Sequence, residues 1–365
     1  MKNLQLKSLF TTEGNLELFL ESSTVPECSE DEVTIEMQAA PINPSDVLMM
    51  FGASDMSTMK SIGTPDSPKI RIRMPEVMQQ ATAARVGRAS PWGIEGAGIV
   101  IATGQSDAAK ALMGKTVAVI GGAMYAKYRV MAAKDCLRLL EGTTPREGAS
   151  CYVNPQTVIG MVETMRTEGH LALVHTAAGS SLGQMLQKHC TNEGVELVNI
   201  VRKQNQVDLL RGIGARYVCN SSSPDFFANL QDVLEETKAT VAFDAIGGGD
   251  MAAQILTAMN ATHHGSSVHK QLYYYGSLDS SAAILNHSKF GMLWGLGRYQ
   301  LGSFLQTLDS DAVAKMRQKI ASEITSTFAS SYSKEVSLQE ALTIEAISAY
   351  QKCATGEKYL INPST

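Results

Sequence analysis

Leu171-Ala-Leu-Val-His-Thr-Ala-Ala-Gly-Ser-Ser-Leu-Gly-Gln184 decides the fold. An apolar run of strand character ends in a small-residue turn, and a helical pattern begins at once. In such a unit the glycines let the backbone approach a ligand closely, and the helix N-terminus presents unpaired N–H groups to an anion. A pyrophosphate suits that geometry. The next strand ends in Arg202 and Lys203, about 20 residues beyond Gly183, where a dinucleotide fold reads the adenosine ribose. A carboxylate there would accept from the 2′-hydroxyl and repel a 2′-phosphate. Two cations favour the phosphorylated cofactor, NADPH, over NADH. The plainer alternative is a pair of surface charges on a loop.

Outward from this unit the pattern repeats. Strand-like runs over 171–175, 196–201, 215–219, 240–246 and 271–275 alternate with helical stretches, which implies an α/β domain: a parallel sheet with helices on both faces. One helix is signposted by Ser223 as a cap and Pro224 in its first turn, with apolar residues recurring through Leu234. The first third is strand-rich, with short runs over 4–10, 16–21, 32–40, 96–102, 116–120 and 125–131 set between turns. Beyond Tyr299 the pattern predicts a helix over 312–328, a strand-like piece, a second helix over 338–353 and a last strand over 358–361. That tail is too short to fold alone. It is expected to return to the N-terminal lobe, with the active site in the cleft between lobes. The expected division is a catalytic domain over 1–148, a dinucleotide-binding domain over 149–299 and a returning segment over 300–365. The stretch 53–91 has few strand cues and holds Lys60, Lys69, Arg71, Arg73, Arg85 and Arg88 against Asp66 and Glu76. It reads as a lid or a disordered segment.

Composition narrows the function. At 365 residues the chain exceeds what one core usually supports. A formal net charge of −5 argues against a general binder of nucleic acid or anionic membrane. No window reaches the ~18 apolar residues of a membrane span. Met1 to Glu13 reads as a strand without the apolar region of a secretion signal. Six scattered cysteines without a C-x-x-C pair suggest reduced thiols in a cytoplasm.

Six segments, in order and spanning nearly the whole chain, resemble the medium-chain dehydrogenase/reductase superfamily, specifically its zinc-free branch of quinone oxidoreductases and enoyl reductases. They are Ile42-Asn-Pro-Ser-Asp46, Gly93-Ile-Glu-Gly-Ala-Gly98, Asn154-Pro-Gln-Thr157, Ala177-Ala-Gly-Ser-Ser-Leu-Gly183, Phe243-Asp-Ala-Ile-Gly-Gly-Gly249 and Gly356-Glu-Lys-Tyr-Leu-Ile-Asn-Pro363. The resemblance implies a Rossmann doubly wound parallel sheet, a GroES-like β-rich catalytic domain, and a homodimer joined edge to edge by its sheets. It places Thr157 near the nicotinamide and Gly179, Ser180, Ser181, Leu182 and Gly183 at the pyrophosphate. Ile246 and Gly247 would flank the nicotinamide with Gly276, Ser277 and Leu278, and Asn220 and Ser221 would lie near the adenine end. Ser221 stands where the family often carries a stacking tyrosine.

Zinc-dependent relatives carry a cysteine in the first loop and a Gly-His-Glu motif. Here those places read Asn-Pro-Ser-Asp and Gly-Ile-Glu, and four closely spaced cysteines for a structural zinc are missing. A residual set of Glu95, Cys151 and His175 has too few N/S ligands, so no metal is expected. His263 and His264 read as a helix-end surface feature. Hydride from the cofactor must then meet a quinone or related α,β-unsaturated carbonyl, while the protein orients it and stabilises charge on its oxygen. The family's tyrosine donor falls near Ser54, and no tyrosine occurs between Asp46 and Tyr125. Asn43, Tyr125, Arg85 and Arg88 are the remaining groups that could polarise a carbonyl. Two rival readings stand beside this one. Gly179-Ser-Ser181-Leu-Gly183 also spells the G-x-S-x-G nucleophile elbow of α/β-hydrolases, with Asp244 as acid and His287 as the last histidine. The other rival is a catalytically idle NADPH-binding protein on a reductase fold.

Overall fold

The computed structural model describes residues 1–365, which divide into two compact units. The first comprises Met1–Tyr152, Ala321–Thr325 and Ala329–Thr365, and the second Val153–Ile320 and Ser326–Phe328. The seam falls four residues beyond the expected 148. Residues 300–320 stay with the second unit instead of returning to the first, because Tyr299 and Phe304 close on Gly160: a Cβ there would lie 2.0 Å from the Tyr299 hydroxyl.

The first unit runs β1 (Lys2–Phe10), β2 (Asn15–Thr24), β3 (Glu32–Pro41), α1 (Pro44–Phe51), β4 (Asp55–Ser61), β5 (Lys69–Arg73), α2 (Glu76–Thr82), β6 (Ser90–Pro91), β7 (Glu95–Thr103), α3 (Asp107–Lys110), β8 (Thr116–Ile120), β9 (Tyr128–Ala132), β10 (Leu137–Arg138) and α4 (Pro145–Gly148). Alternating Leu16 and Leu18 on β2, and Val33, Ile35 and Met37 on β3, put one face of each strand into a common apolar core. β3 is the spine: it pairs antiparallel with β7 on one edge and with β9 on the other. Its partner β7 carries Gly96 and Gly98 where β3 comes closest, and a Cβ on Gly98 would stand 2.1 Å from the Glu36 carbonyl oxygen.

The basic stretch 53–91 is not a structureless lid. β4, β5 and β6 join β1 and β2 in a five-stranded sheet of order β4-β5-β2-β1-β6. The few-cue appearance has a physical reason: β5 alternates cations with isoleucines, Lys69-Ile-Arg-Ile-Arg73, and only Ile70 and Ile72 are buried. The cations are partly neutralised, since Lys69 and Arg71 share the buried carboxylate of Glu17.

The second unit holds α5 (Val153–Thr167), β11 (Ala172–His175), α6 (Ser181–Glu193), β12 (Glu196–Val201), α7 (Gln204–Gly212), β13 (Tyr217–Asn220), α8 (Phe226–Thr237), β14 (Val241–Asp244), α9 (Met251–Ala261), β15 (Lys270–Tyr274), β16 (Trp294–Arg298), α10 (Leu301–Gln306) and α11 (Ser310–Glu323). All strands are parallel in the order β13-β12-β11-β14-β15-β16. This is the Rossmann order 3-2-1-4-5-6, whose switch point lies between β11 and β14. On one face Val174, Val198, Ile200 and Leu272 pack beneath α8 and α9. On the other Phe243 stacks on Tyr273 and meets Tyr299 edge-on.

Local signals misplaced two helices. α8 starts at Phe226 after Asp225, because Ser223 closes a turn with its carbonyl, accepting from the Phe226 amide at 3.1 Å. The helix predicted over 338–353 is broken at Thr343, whose extended backbone stops a short 3₁₀ turn and whose hydroxyl caps α12 (Ile344–Tyr350). Near the end of the chain β18 (Tyr359–Ile361) pairs antiparallel with β3 and parallel with β17 (Lys334–Val336).

The close approach at Gly98 generates a test. Gly98→Ala must push β7 off β3, so we expect a loss of about 1–3 kcal/mol in urea unfolding, the usual cost of overpacking. An unchanged midpoint would contradict the register described.

Candidate functional site

At the switch point the chain leaves β11 through Thr176, and Ala177 takes a left-handed conformation (φ 51) that non-glycine residues seldom adopt. Ser180 then caps α6, its hydroxyl oxygen accepting from the Gly183 amide at 3.1 Å. Gly183 serves packing: a Cβ there would meet the Ala178 carbonyl oxygen at 2.1 Å, so only glycine lets the helix sit against the strand end. Gly179 lies over Gln206, whose side chain a Cβ would approach to 3.2 Å. Ser181 and Leu182 are half-buried, and as first-turn residues their amides have no acceptor within the helix. The helix dipole adds partial positive charge at the same point. A pyrophosphate group fits this turn.

The neighbouring loops are fixed by a buried carboxylate. Asp244, at the end of β14, accepts the Thr176 hydroxyl at 2.6 Å, the Ile246 amide at 3.0 Å and the Gly247 amide at 3.1 Å. Thr176 in turn accepts from the Ala245 amide at 2.8 Å. The loop after β15 is laced alongside, with the Leu278 amide donating to Ala245 and the Asp279 amide to Ile246. Gly276 permits this, since a Cβ would stand 2.5 Å from the Ala245 carbonyl oxygen. The fold therefore brings Ile246 and Gly247 beside Gly276, Ser277 and Leu278.

Arg202 and Lys203 sit at the C-terminal end of β12, exposed and without an ion pair, while both their amides donate to the Gln206 side-chain oxygen at 3.1 Å. Asn220 and Ser221 end the adjacent β13; Asn220 accepts from the Ser222 amide at 3.0 Å, and the Ser221 amide donates to Val201. Thr157 lies in the first turns of α5, its hydroxyl donating to the Val153 carbonyl at 2.6 Å.

In the first unit the two short motifs are cross-tied. The Asn43 side-chain amide donates to Glu95 at 2.9 Å, and the other Glu95 oxygen accepts from the Tyr152 amide at 2.9 Å. Asp46 accepts from the amides of Asn43, at 3.0 Å, and Ile94, at 2.9 Å. Burial, reinforced by the neighbouring Glu95, pushes the Asp46 carboxyl up to about 7. Lys358, whose ammonium donates to Ser150 at 2.8 Å, is drawn down by burial and held up by Glu95 and Asp46.

The Tyr125 hydroxyl is engaged within the fold. The residue has no exposed surface, its hydroxyl donates to the Pro41 carbonyl at 3.1 Å, and burial raises its pKa well above the ordinary tyrosine value. The Ser54 hydroxyl is likewise spent, on the Phe51 carbonyl. Arg85 lies over the Phe10 ring, 4.8 Å from its centre. Of the candidates in this unit, Asn43 retains the arrangement of an oriented amide.

The nucleophile-elbow reading is not supported. Ser181 is the first residue of α6, with the left-handed strain four residues earlier at Ala177. Asp244 is occupied by Thr176 and two amides, and His287 lies in an exposed 3₁₀ turn. His175, once a conceivable metal ligand, is fully buried against Tyr275. His263 opens the turn after α9 and lies against Glu235, as a helix-end residue would. Sequence reading missed Gln206, Thr176, Asp244 as a loop clamp, and Tyr275. Only Asp244 carried a signal, as the last residue of a strand before three glycines.

No family model matches the chain. Mitochondrial enoyl-[acyl-carrier-protein] reductase of Xenopus tropicalis is 25% identical over 245 residues, which span 63% of this chain and 60% of that protein. Among solved structures, a Mesorhizobium loti protein assigned as an NADPH:quinone reductase superposes with a TM-score of 0.74 at 24% identity, covering 99% of this chain and 98% of the other. Escherichia coli quinone oxidoreductase complexed with NADPH gives 0.71 at 16% identity, over 100% of both chains. A mutant enoyl thioester reductase from Candida tropicalis gives 0.71 at 16%, over 99% of this chain and 100% of that one. The chain has the fold of the zinc-free medium-chain dehydrogenases/reductases, a Rossmann unit with a GroES-like unit.

The sign of the Asp46 shift yields a pH prediction. Its native pKa lies above that of an unfolded aspartate, so its stabilising contribution is complete below about pH 4 and is lost as pH rises through about 7. Urea midpoints of wild type relative to Asp46→Asn should therefore fall between about pH 4 and 7 and level off above that. Parallel curves would contradict the assignment.

Proposed function

We propose that the chain is an NADPH-dependent, metal-free oxidoreductase that passes hydride to a quinone or a related α,β-unsaturated carbonyl. The observation that carries this reading is the α6 N-terminus, where two half-buried first-turn residues open toward solvent, with Arg202 and Lys203 on the neighbouring strand end. The amides of Ser181 and Leu182 would hold the pyrophosphate, and Arg202 and Lys203 the 2′-phosphate. Thr157, Ile246, Gly247 and Gly276 to Leu278 would frame the nicotinamide, with Asn220 and Ser221 at the adenine end. The cofactor, once bound, supplies the hydride. Asn43, its amide fixed by Glu95, is the group we assign to orient the carbonyl. Neighbours of this fold solved with NADPH support the cofactor choice.

A quinone is favoured over an enoyl thioester. Its reduced oxygen takes a proton from water, whereas α-carbon protonation calls for a placed acid. In the first unit Tyr125 and Ser54 are both committed to backbone carbonyls. We further propose a cytoplasmic homodimer paired through the sheet edge β16, beside which Met292 and Leu293 lie exposed. No helix is long and apolar enough to cross a membrane.

Fluorescence titration with NADPH and NADH tests the core of this reading. Arg202→Ala with Lys203→Ala should weaken NADPH by about 1–3 kcal/mol in total, the scale of charge-assisted hydrogen bonds, and leave NADH nearly unmoved. Equal losses would remove the 2′-phosphate argument. Tight binding without turnover on quinones and enones would indicate an idle dinucleotide-binding protein. Labelling of Ser181 by a fluorophosphonate, without NADPH binding below ~100 µM, about 5 kcal/mol of binding free energy, would overturn the assignment.

A further inference from the structure

His175 and Tyr275 form a buried pair that the proposed chemistry does not use. On β11 Ala172 and Val174 point into the apolar layer under α8 and α9, so His175 points to the opposite face. On β15 Leu272 points into that same layer, and Tyr275, three residues on, shares the His175 face. The His175 Nε2 and the Tyr275 hydroxyl are 2.6 Å apart, with the rings stacked at 22° and their centres 5.6 Å apart. Burial holds the imidazole down to about 3 and pushes the phenol well above its ordinary value, so both partners are neutral at any working pH. The contact is a neutral hydrogen bond in a dry setting.

Its position gives it a task. His175 is the last residue of β11, directly before the Thr176–Gly183 turn, and Tyr275 directly precedes Gly276, Ser277 and Leu278. Only β14 separates the two strands. Thr176 and Asp244 tie β11 to β14, and the Tyr275 amide donates to the Asp244 carbonyl at 2.9 Å, so the pair closes a polar lattice running from β11 through β14 to β15. We infer that the His175–Tyr275 hydrogen bond is a positioning brace that fixes the spacing between the pyrophosphate turn and the nicotinamide loop, and thereby sets affinity for the shared part of NADPH and NADH. The inference rests on the dinucleotide reading above.

Tyr275→Phe keeps the stacked ring and removes only the bond. His175→Leu removes the other partner, and His175→Gln restores an amide near the Nε2 position. Dissociation constants for both dinucleotides, measured by fluorescence, should rise about 3- to 10-fold in Tyr275→Phe and His175→Leu, by the same factor for NADPH and NADH, as expected for one net hydrogen bond. His175→Gln should recover part of the loss. Turnover at saturating NADPH should stay within about twofold of wild type, because the brace touches no reacting atom. This pattern differs from that of Arg202 and Lys203, whose removal acts on NADPH alone. Unchanged dissociation constants, whatever happens to the melting temperature, would overturn the brace, as would a loss confined to one dinucleotide. Wild-type protein that binds neither dinucleotide would instead overturn the functional reading on which the brace depends.

Discussion

Asp244 has no exposed surface, and its two oxygens receive one hydroxyl hydrogen and two amide hydrogens from residues on both sides of the sheet's switch point. Each of those donors would be costly to bury alone, and the carboxylate satisfies all of them at once. Thr176 is held against β14, the backbone turns sharply at Gly247 (φ 82), and the loop after β15 is laid alongside. The strand ends that carry the candidate cofactor residues are therefore positioned by backbone and buried polar groups. The groups that the first turn of α6 leaves without acceptors are main-chain amides, which are preorganised and would lose no side-chain freedom on binding an anion.

The first unit uses the same economy differently. Glu95 and Asp46 are fully buried carboxylates on or beside short motifs: Asp46 accepts from the amides of Asn43 and Ile94, and Glu95 from the Asn43 side chain and the Tyr152 amide, so the Asn43 loop is tied to the start of β7 and β7 to the segment at Tyr152. The pKa of Asp46 shows what this costs: burial beside a second carboxylate favours its neutral form. A site assembled this way trades stability for an oriented amide at Asn43. Such trades concentrate where function is performed.

Much of this was legible from residues alone, and the limits have physical causes. The strand–turn–helix at 171–184 could be read because Gly183 has a steric reason that no other residue satisfies, and Arg202 with Lys203 stand where the adjacent strand ends. The sheet β4-β5-β2-β1-β6 was hidden because the alternating cations of β5 mimic a solvated loop, while their partner Glu17 lies far away in sequence. Tyr125 misled because sequence does not report depth; its hydroxyl is consumed by Pro41, 84 positions away. The brace at His175 was invisible for the same reason, its partner being 100 positions distant. Non-local pairings of this kind leave no periodic trace.

Hydrogen–deuterium exchange with and without saturating NADPH probes the central claim directly, since it reads backbone amides. The account predicts slowed exchange at Ser181 and Leu182, with accompanying protection at 246–247 and 276–278. Exchange at the first turn of α6 that is indifferent to the dinucleotide, with protection appearing elsewhere, would contradict it.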